Sequence, residues 1–474
     1  MNAKALYSEP TQKAYRGNPL IEALPNPMSI DEIYEQLSDL PSFDEKEKIA
    51  RASDRLQSPA QLLTCFQPLS VHIEMVRKIY GSIIQGYQSR NPLLPEYSMD
   101  LSQLHSSVIS KDSDFFNVNL SNAVSAGSSI VGYSGVGKTS SVKRILAQYP
   151  QTISHEEYRG EPFNHKQIVW MKLECPIDGS IKGLCTSFFI KFDELTGDHT
   201  YVKYVEKGRN STDQMIPQMA LIARRHSLGV LIIDEIQNIS ASKSGGAKRM
   251  MNFLANIVNT IGVPIFLVGI PEALPFLSNE FMISRRATGT GAIIMKPLPS
   301  ESADWNIFLN GIWDYQWTNI KTPMDESISR KIHKLSGGIV AVAINLYIAV
   351  QEEAIKNGEL GKSEKITLKL IDEVAKSPKF CMISGKIESI NRANFQLREA
   401  KKINNEEYEG LCLDNGEGKI QRDSSKNDNQ VRDDELQRRI SLIPNTNEKF
   451  EAPVPYTQET LMNRGQHEDP IDNI

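Results

Sequence analysis

From Gly132 to Thr139 the chain reads Gly-Tyr-Ser-Gly-Val-Gly-Lys-Thr, the spacing GxxxxGK[ST], and no other stretch constrains its fold as tightly. An apolar run at 129–131 precedes it, and Val142, Ile145, Leu146 and Tyr149 follow at helical spacing. A strand, a glycine-rich turn and a helix N-terminus in that order make a phosphate cradle. The glycines let successive N–H groups point inward without Cβ clashes, and the helix end adds partial positive charge. The predicted nucleotide contacts are Gly132, Ser134, Gly135, Val136, Gly137, Lys138, Thr139 and Ser140. Lys138 would bridge the β- and γ-phosphates of ATP as a catalytic cation, and the Thr139 hydroxyl would ligate Mg2+.

The residues after 127 keep to one grammar. Short runs at 130–135, 168–173, 230–234, 264–269 and 292–298 alternate with helical patterns at 180–195, 213–226 and 247–261. Uninterrupted apolar runs are the mark of strands buried on both faces, with helices as parallel crossovers, so a doubly wound α/β domain is expected. The run VLIIDEIQ at 230–237 supplies its acids. Asp234, at the end of a buried strand, would hold Mg2+, and Glu235 would polarise an attacking water. Adjacent Asp and Glu favour hydrolysis over phosphoryl transfer to a metabolite. The run 264–269 is placed between the cradle strand and the Asp-Glu strand. That puts Ile270, which has no polar group, where a γ-phosphate sensor would stand. Arg285 and Arg286 precede the last strand; one of them would reach a neighbouring subunit's nucleotide as a catalytic finger, or both are solvated surface arginines.

Around this domain, residues 1–60 read as a Pro-rich polar arm with one short helix capped by Ser29 and Glu32. Residues 61–126 form a helical extension. There Ile73, Val76, Tyr80, Ile83, Ile84 and Tyr87 predict a helix over 69–87, and 92–115 reads as a loop. The α/β domain occupies 127–300, and 301–380 reads as helices, with one spanning 335–355. Residues 381–474 read as a largely disordered tail, polar and poor in apolar side chains.

Together these pieces resemble the AAA+ ATPases, and within them the TnsC-like regulators of bacterial cut-and-paste transposons. The resemblance runs over residues 13–380 and is most specific at 228–293, through LGVLIIDEIQNISASKSGGAKRMMNFLANIVNTIGVPIFLVGIPEA and SRRATGTGAI. It implies an α/β AAA+ P-loop NTPase fold, a parallel five-stranded sheet with helices on both faces, an N-terminal helical extension and a small C-terminal helical lid. It also implies ATP and Mg2+ as ligands, and rings or filaments of the protein on double-stranded DNA. The partners would be a target-selector protein and the transposase and endonuclease subunits, in the bacterial cytoplasm. Ile270, and the absence of an arginine from 339–351, depart from the pattern of many AAA+ proteins and point to slow hydrolysis.

Charge limits how DNA could be held. The chain carries a net −5, and the 16 Asp or Glu against 10 Lys or Arg after residue 400 leave the rest at +1. DNA binding would then need a local patch repeated by oligomerisation. Lys243, Ser244 and Lys248 in SKSGGAKR are the candidates, against the alternative of a solvated turn; Arg249 and the pair Arg224-Arg225 fit helix positions better. The acidic tail suits basic protein surfaces, and the 15–19 arm suits a selector or a neighbouring subunit. Two other readings stay open: a signalling switch NTPase that works without DNA, and a helicase-loader-like AAA+ protein. A metabolite kinase is disfavoured by Glu235. The five cysteines form no CxxC pair, the N-terminus has no apolar signal core, and no run reaches the roughly 18 apolar residues of a membrane span.

Overall fold

The computed structural model describes residues 2–110, 128–206, 211–241, 249–250, 253–254, 262–270, 292–378 and 380. The central sheet has five parallel strands, β2 (Ser128–Gly132), β5 (Trp170–Glu174), β6 (Val230–Asp234), β7 (Ile265–Gly269) and β8 (Ala292–Met295), in the order β5-β6-β7-β2-β8. The three inner strands are buried at every residue, which is why they read as unbroken apolar runs. Alternation across the pleat divides them between two cores. Leu231 and Ile233 face one cluster with Phe188, Phe192 and Met219, while Val230 and Ile232 face another with Ile79, Ile83 and Ile145.

The crossover helices are α6 (Lys138–Ala147), α7 (Ile181–Thr196) and α8 (Thr212–Arg225). Ser180 accepts a hydrogen bond from the Gly183 N–H and fixes the start of α7, and Gly197 in the left-handed region ends it. The run 168–173 divides: Ile168 closes strand β4 (Glu161–Ile168), and Trp170 opens β5.

The N-terminal third holds the main departures from the sequence reading. Helix α4 (Ser70–Gln88) stands where the periodicity predicts it, and the Ser29–Glu32 capping box starts α2 (Ile30–Leu37). The expected loop after residue 92, however, contains α5 (Pro95–Ser110). Its buried positions, Tyr97, Asp100 and Leu104, lie three and four residues apart, but only two are apolar, so the stripe is hard to see. Asp100 is there for charge: it pairs with the buried Arg224 of α8, and the Tyr97 hydroxyl donates to the Arg224 carbonyl at 2.7 Å. Strand β1 (Asn2–Lys4) also joins a hairpin, β3 (Thr152–Tyr158) and β4 (Glu161–Ile168), in a second, three-stranded sheet. The hairpin turns at Arg159 and Gly160, both at positive φ, the backbone a two-residue type I′ turn requires.

Among the described residues four helices follow the sheet: α9 (Ala303–Trp313), α10 (Glu326–Ser336), α11 (Val340–Glu359) and α12 (Leu368–Ala375). The single helix expected over 335–355 is broken after Ser336, where Gly337 takes a φ of +62°. Ser302, Asp325 and Thr367 cap three of them with side-chain oxygens. Their core gathers Trp305, Phe308, Ile312, Trp317 and Tyr347. The arm is shared between the two bodies. Leu20, Ile33 and Leu37 sit in the sheet's core, whereas Phe43 and Leu56 pack on the helical one. Arg55 reaches Glu364 with two hydrogen bonds of 2.6 and 2.7 Å, both side chains buried. Among the described residues no single helix is long and apolar enough to cross a membrane.

Candidate nucleotide-binding site

The cradle forms where β2 ends and α6 begins. Gly135 and Gly137 adopt φ of +85° and +97°, a backbone that L side chains rarely take, and Gly137 caps α6. Within the loop, Lys138 Nζ donates to the Tyr133 carbonyl at 2.9 Å, which holds the ammonium over the turn. Val136 turns its side chain into the core, so only its main chain faces the cradle; Ser134 and Ser140 are exposed. The helical appendage rests on this loop. The Ala341 N–H, in the first turn of α11, donates to the Gly135 carbonyl at 3.0 Å.

Strand order brings the acids opposite. With β7 between β2 and β6, the end of β6 lies across from the start of α6, and Thr139 Oγ1 donates to Asp234 Oδ2 at 3.0 Å. Asp234 is only 2% exposed. Its Oδ1 accepts the Glu235 N–H at 2.9 Å, and its Oδ2 also takes Lys172 Nζ from β5 at 2.9 Å. Glu235 is exposed and sits at φ +58°. For a non-glycine residue that is a strained backbone, of the kind that collects at functional sites. The Gln237 amide donates to the Glu235 carboxylate, and Gln237 Oε1 accepts the Ile270 N–H at 3.4 Å. Ile270 thus contributes its main chain to the acidic side of the site, through Gln237, though its side chain has nothing polar to offer.

A family model described as an AAA domain matches residues 127–277. This segment is an AAA domain. With its parallel five-stranded sheet, the chain has the AAA+ P-loop NTPase fold, and such a domain is in general a nucleotide-hydrolysing ATPase. Among solved structures, a Walker-type ATPase of Pyrococcus abyssi is similar at 18% identity, covering 60% of this chain and 76% of that one with a TM-score of 0.35. The ORC2 protein of Aeropyrum pernix in ADPNP and ADP complexes is similar at 12% identity, covering 58% and 67% with a TM-score of 0.35. Its ADP form gives 12% identity, 64% and 72% coverage and a TM-score of 0.33. No curated protein matches the chain.

Behind the AAA cradle lies a residue the sequence reading passed over. His72 of α4 is buried, and its Nδ1 accepts the Leu69 N–H at 2.7 Å. The other nitrogen, Nε2, then carries the proton and donates to Ser141 Oγ at 2.9 Å, and Ser141 donates to the Gly137 carbonyl at 2.7 Å. Burial holds the His72 imidazole down to about 4, so it is neutral at physiological pH and this chain of donors stays intact. Lys172 and Gln237 were missed as well. The one signal for Lys172 was a cation inside an otherwise apolar strand run, IVWMKL.

The donor set of this AAA site suits magnesium. A hydroxyl and a carboxylate 3.0 Å apart are hard oxygens of the number Mg2+ takes from protein when phosphates and water fill its other positions. Thr139 and Asp234 are the residues that would hold it. The finger candidates Arg285 and Arg286, and the DNA candidates Lys243, Ser244 and Lys248, lie outside the described residues, as does the tail from 381. Arg249 is exposed in a helical turn, and Arg224 is buried against Asp100.

Proposed function

We propose that this chain is an ATP-hydrolysing regulator of DNA transposition, which assembles on double-stranded DNA and couples a target selector to the transposase and its endonuclease partner. The reading has two supports. The sequence of 228–293 resembles TnsC-like proteins, and the observation that carries the switch itself is the seat of α11 on the phosphate loop, Ala341 N–H to Gly135 carbonyl at 3.0 Å. A loop that must receive phosphates cannot change without this contact feeling it, so nucleotide state is transmitted to the lid.

The chemistry follows from the chain's own groups. Lys138 and the cradle N–H groups bind and orient the triphosphate. Mg2+ at Thr139 and Asp234 would neutralise charge on the β- and γ-oxygens. Glu235 accepts a proton from the attacking water; the oxygen–phosphorus bond to that water forms as the bond to the ADP oxygen breaks. In this structure the Gln237 amide donates to the Glu235 carboxylate and orients it. Arg285 or Arg286 would act on a neighbour's nucleotide, and Lys243, Ser244 and Lys248 would meet phosphates of the duplex.

Electron microscopy with duplex DNA tests this, comparing ATP, ADP and no nucleotide, with Lys138→Ala as control. Rings or filaments on DNA are expected with ATP alone, and none with the variant. Particles that ignore DNA in every nucleotide state would overturn the transposition reading in favour of a protein-only switch.

A further inference from the structure

We propose that Lys172 is a resident counter-cation for Asp234, which Mg2+ must displace before the site is complete. The proposal deepens the function above and rests on its reading of the site as one for magnesium and nucleotide.

The argument starts from burial. A carboxylate 2% exposed cannot stand without a positive partner, because desolvating a lone charge costs more than the fold can spare. Metal-free, Asp234 has that partner in Lys172 Nζ, 2.9 Å from Oδ2, on a side chain 11% exposed. Strand register explains the reach. Lys172 pairs with Ile232 and Glu174 with Asp234, so the lysine stem runs along β5 towards the strand end, where Asp234 lies.

Crowding on one oxygen is the second step. Oδ2 accepts from Thr139 and pairs with the Lys172 ammonium, while Oδ1 accepts the Glu235 N–H. A divalent cation held with Thr139, or a water bound to it, meets the oxygen that already carries the ammonium. Two cations on one oxygen repel, so one leaves.

The structure also supplies the place to go. Glu174 Oε1 is 3.8 Å from the same Nζ, and its carboxylate is 73% exposed. An ammonium on a flexible four-carbon stem can shift from one to the other without losing a partner. Lys172 therefore sets the metal dependence of nucleotide binding through its pairing with Asp234.

The test uses the full chain and the non-hydrolysed analogue ADPNP, whose dissociation constant is measured in Mg2+ and in EDTA. In Lys172→Met the ratio of the EDTA to the Mg2+ value is expected to rise about tenfold over wild type, because the competing charge is gone. Mg2+ without nucleotide should also raise the melting temperature of this variant more than that of wild type. Lys172→Arg should keep the wild-type ratio, and Glu174→Gln should lower it. An unchanged ratio in Lys172→Met would overturn the proposal and leave Lys172 as a tie between strands. Failure of wild type to bind ADPNP in either condition would instead sink the reading of the site. Should Lys172→Met not fold, Glu174→Gln carries the test, since it removes the place the ammonium moves to and leaves Asp234 intact. A ratio below the wild-type value supports displacement, and an unchanged ratio overturns it.

Discussion

The two halves of the nucleotide site are made from different material. The cradle half is backbone: Gly135 and Gly137 at positive φ, the N-terminus of α6, and carbonyls that hold Lys138 and Ser141 in place. The acidic half is side-chain charge: Asp234 shared between Thr139 and Lys172, and Glu235 engaged by Gln237. The cradle's geometry is set by steric rules, and it meets α11 through the Gly135 carbonyl. A set of buried charges is balanced only for a given set of partners, and rearranges when a cation arrives. The first half is therefore suited to answering phosphate and the second to answering metal.

The largest expected effect comes from upsetting the charged half. Asp234→Ala leaves the Lys172 ammonium nearly buried with only Glu174 at 3.8 Å beside it. Breaking a buried pair from one side costs about 3 kcal/mol. Chemical denaturation without nucleotide should show that loss, and ADPNP binding should become indifferent to Mg2+. A variant as stable as wild type would mean the acidic half is not charge-balanced by Lys172, and the contrast between the halves would fall.

The second effect probes the cradle half from behind, through pH. His72 titrates at about 4 in the folded chain against 6.5 when unfolded, so between those values the unfolded chain binds more protons. Stability from this group is complete above pH 6.5 and falls as pH drops towards 4. Between pH 8 and pH 5 the loss is about 2 kcal/mol. His165, held at about 3 chiefly by burial, adds a slope of the same sign. In His72→Gln the fall in unfolding free energy over that range should be smaller than in wild type by about the same 2 kcal/mol. An identical pH profile for variant and wild type would show that His72 is not buried neutral behind the cradle.

The same division governs how much could be read from the sequence. The cradle was legible because its requirements are local: a fixed spacing of glycines, one lysine and one hydroxyl residue between a strand and a helix. The strand order followed from where apolar runs and crossovers fell, and it brings Thr139 to Asp234. Lys172 was not legible because its role depends on register across two strands; in one dimension it is a cation in an apolar run. Gln237 and His72 act through a backbone N–H or a serine on another element, and neither type at those positions announces a partner. Helix α5 was read as a loop because one of its inward positions is Asp100, whose partner Arg224 lies 124 residues away. The β3–β4 hairpin went unseen because its apolar positions are few and its turn sets beside Gly160 an arginine, Arg159, which does not favour positive φ.

The last pair of effects separates two reasons for glycine within the cradle itself. At Gly132 an added Cβ would lie 2.5 Å from the Met295 carbonyl oxygen, so the obstacle is the neighbouring strand. At Gly137 the nearest atom is Ser141 Oγ at 3.8 Å, so space is free and the obstacle is φ of +97°. Gly132→Ala should push β8 from β2 and cost about 1–3 kcal/mol, with nucleotide affinity falling only as far as the sheet shifts. Gly137→Ala should cost about 1–2 kcal/mol, and it should lose ADPNP affinity out of proportion to stability. The penalty there is relieved by turning the very peptide whose N–H faces the phosphates. Melting and ADPNP titration of the two variants decide the matter. If Gly137→Ala binds as wild type does, the cradle tolerates another backbone at its last glycine, and its rigidity does not come from φ.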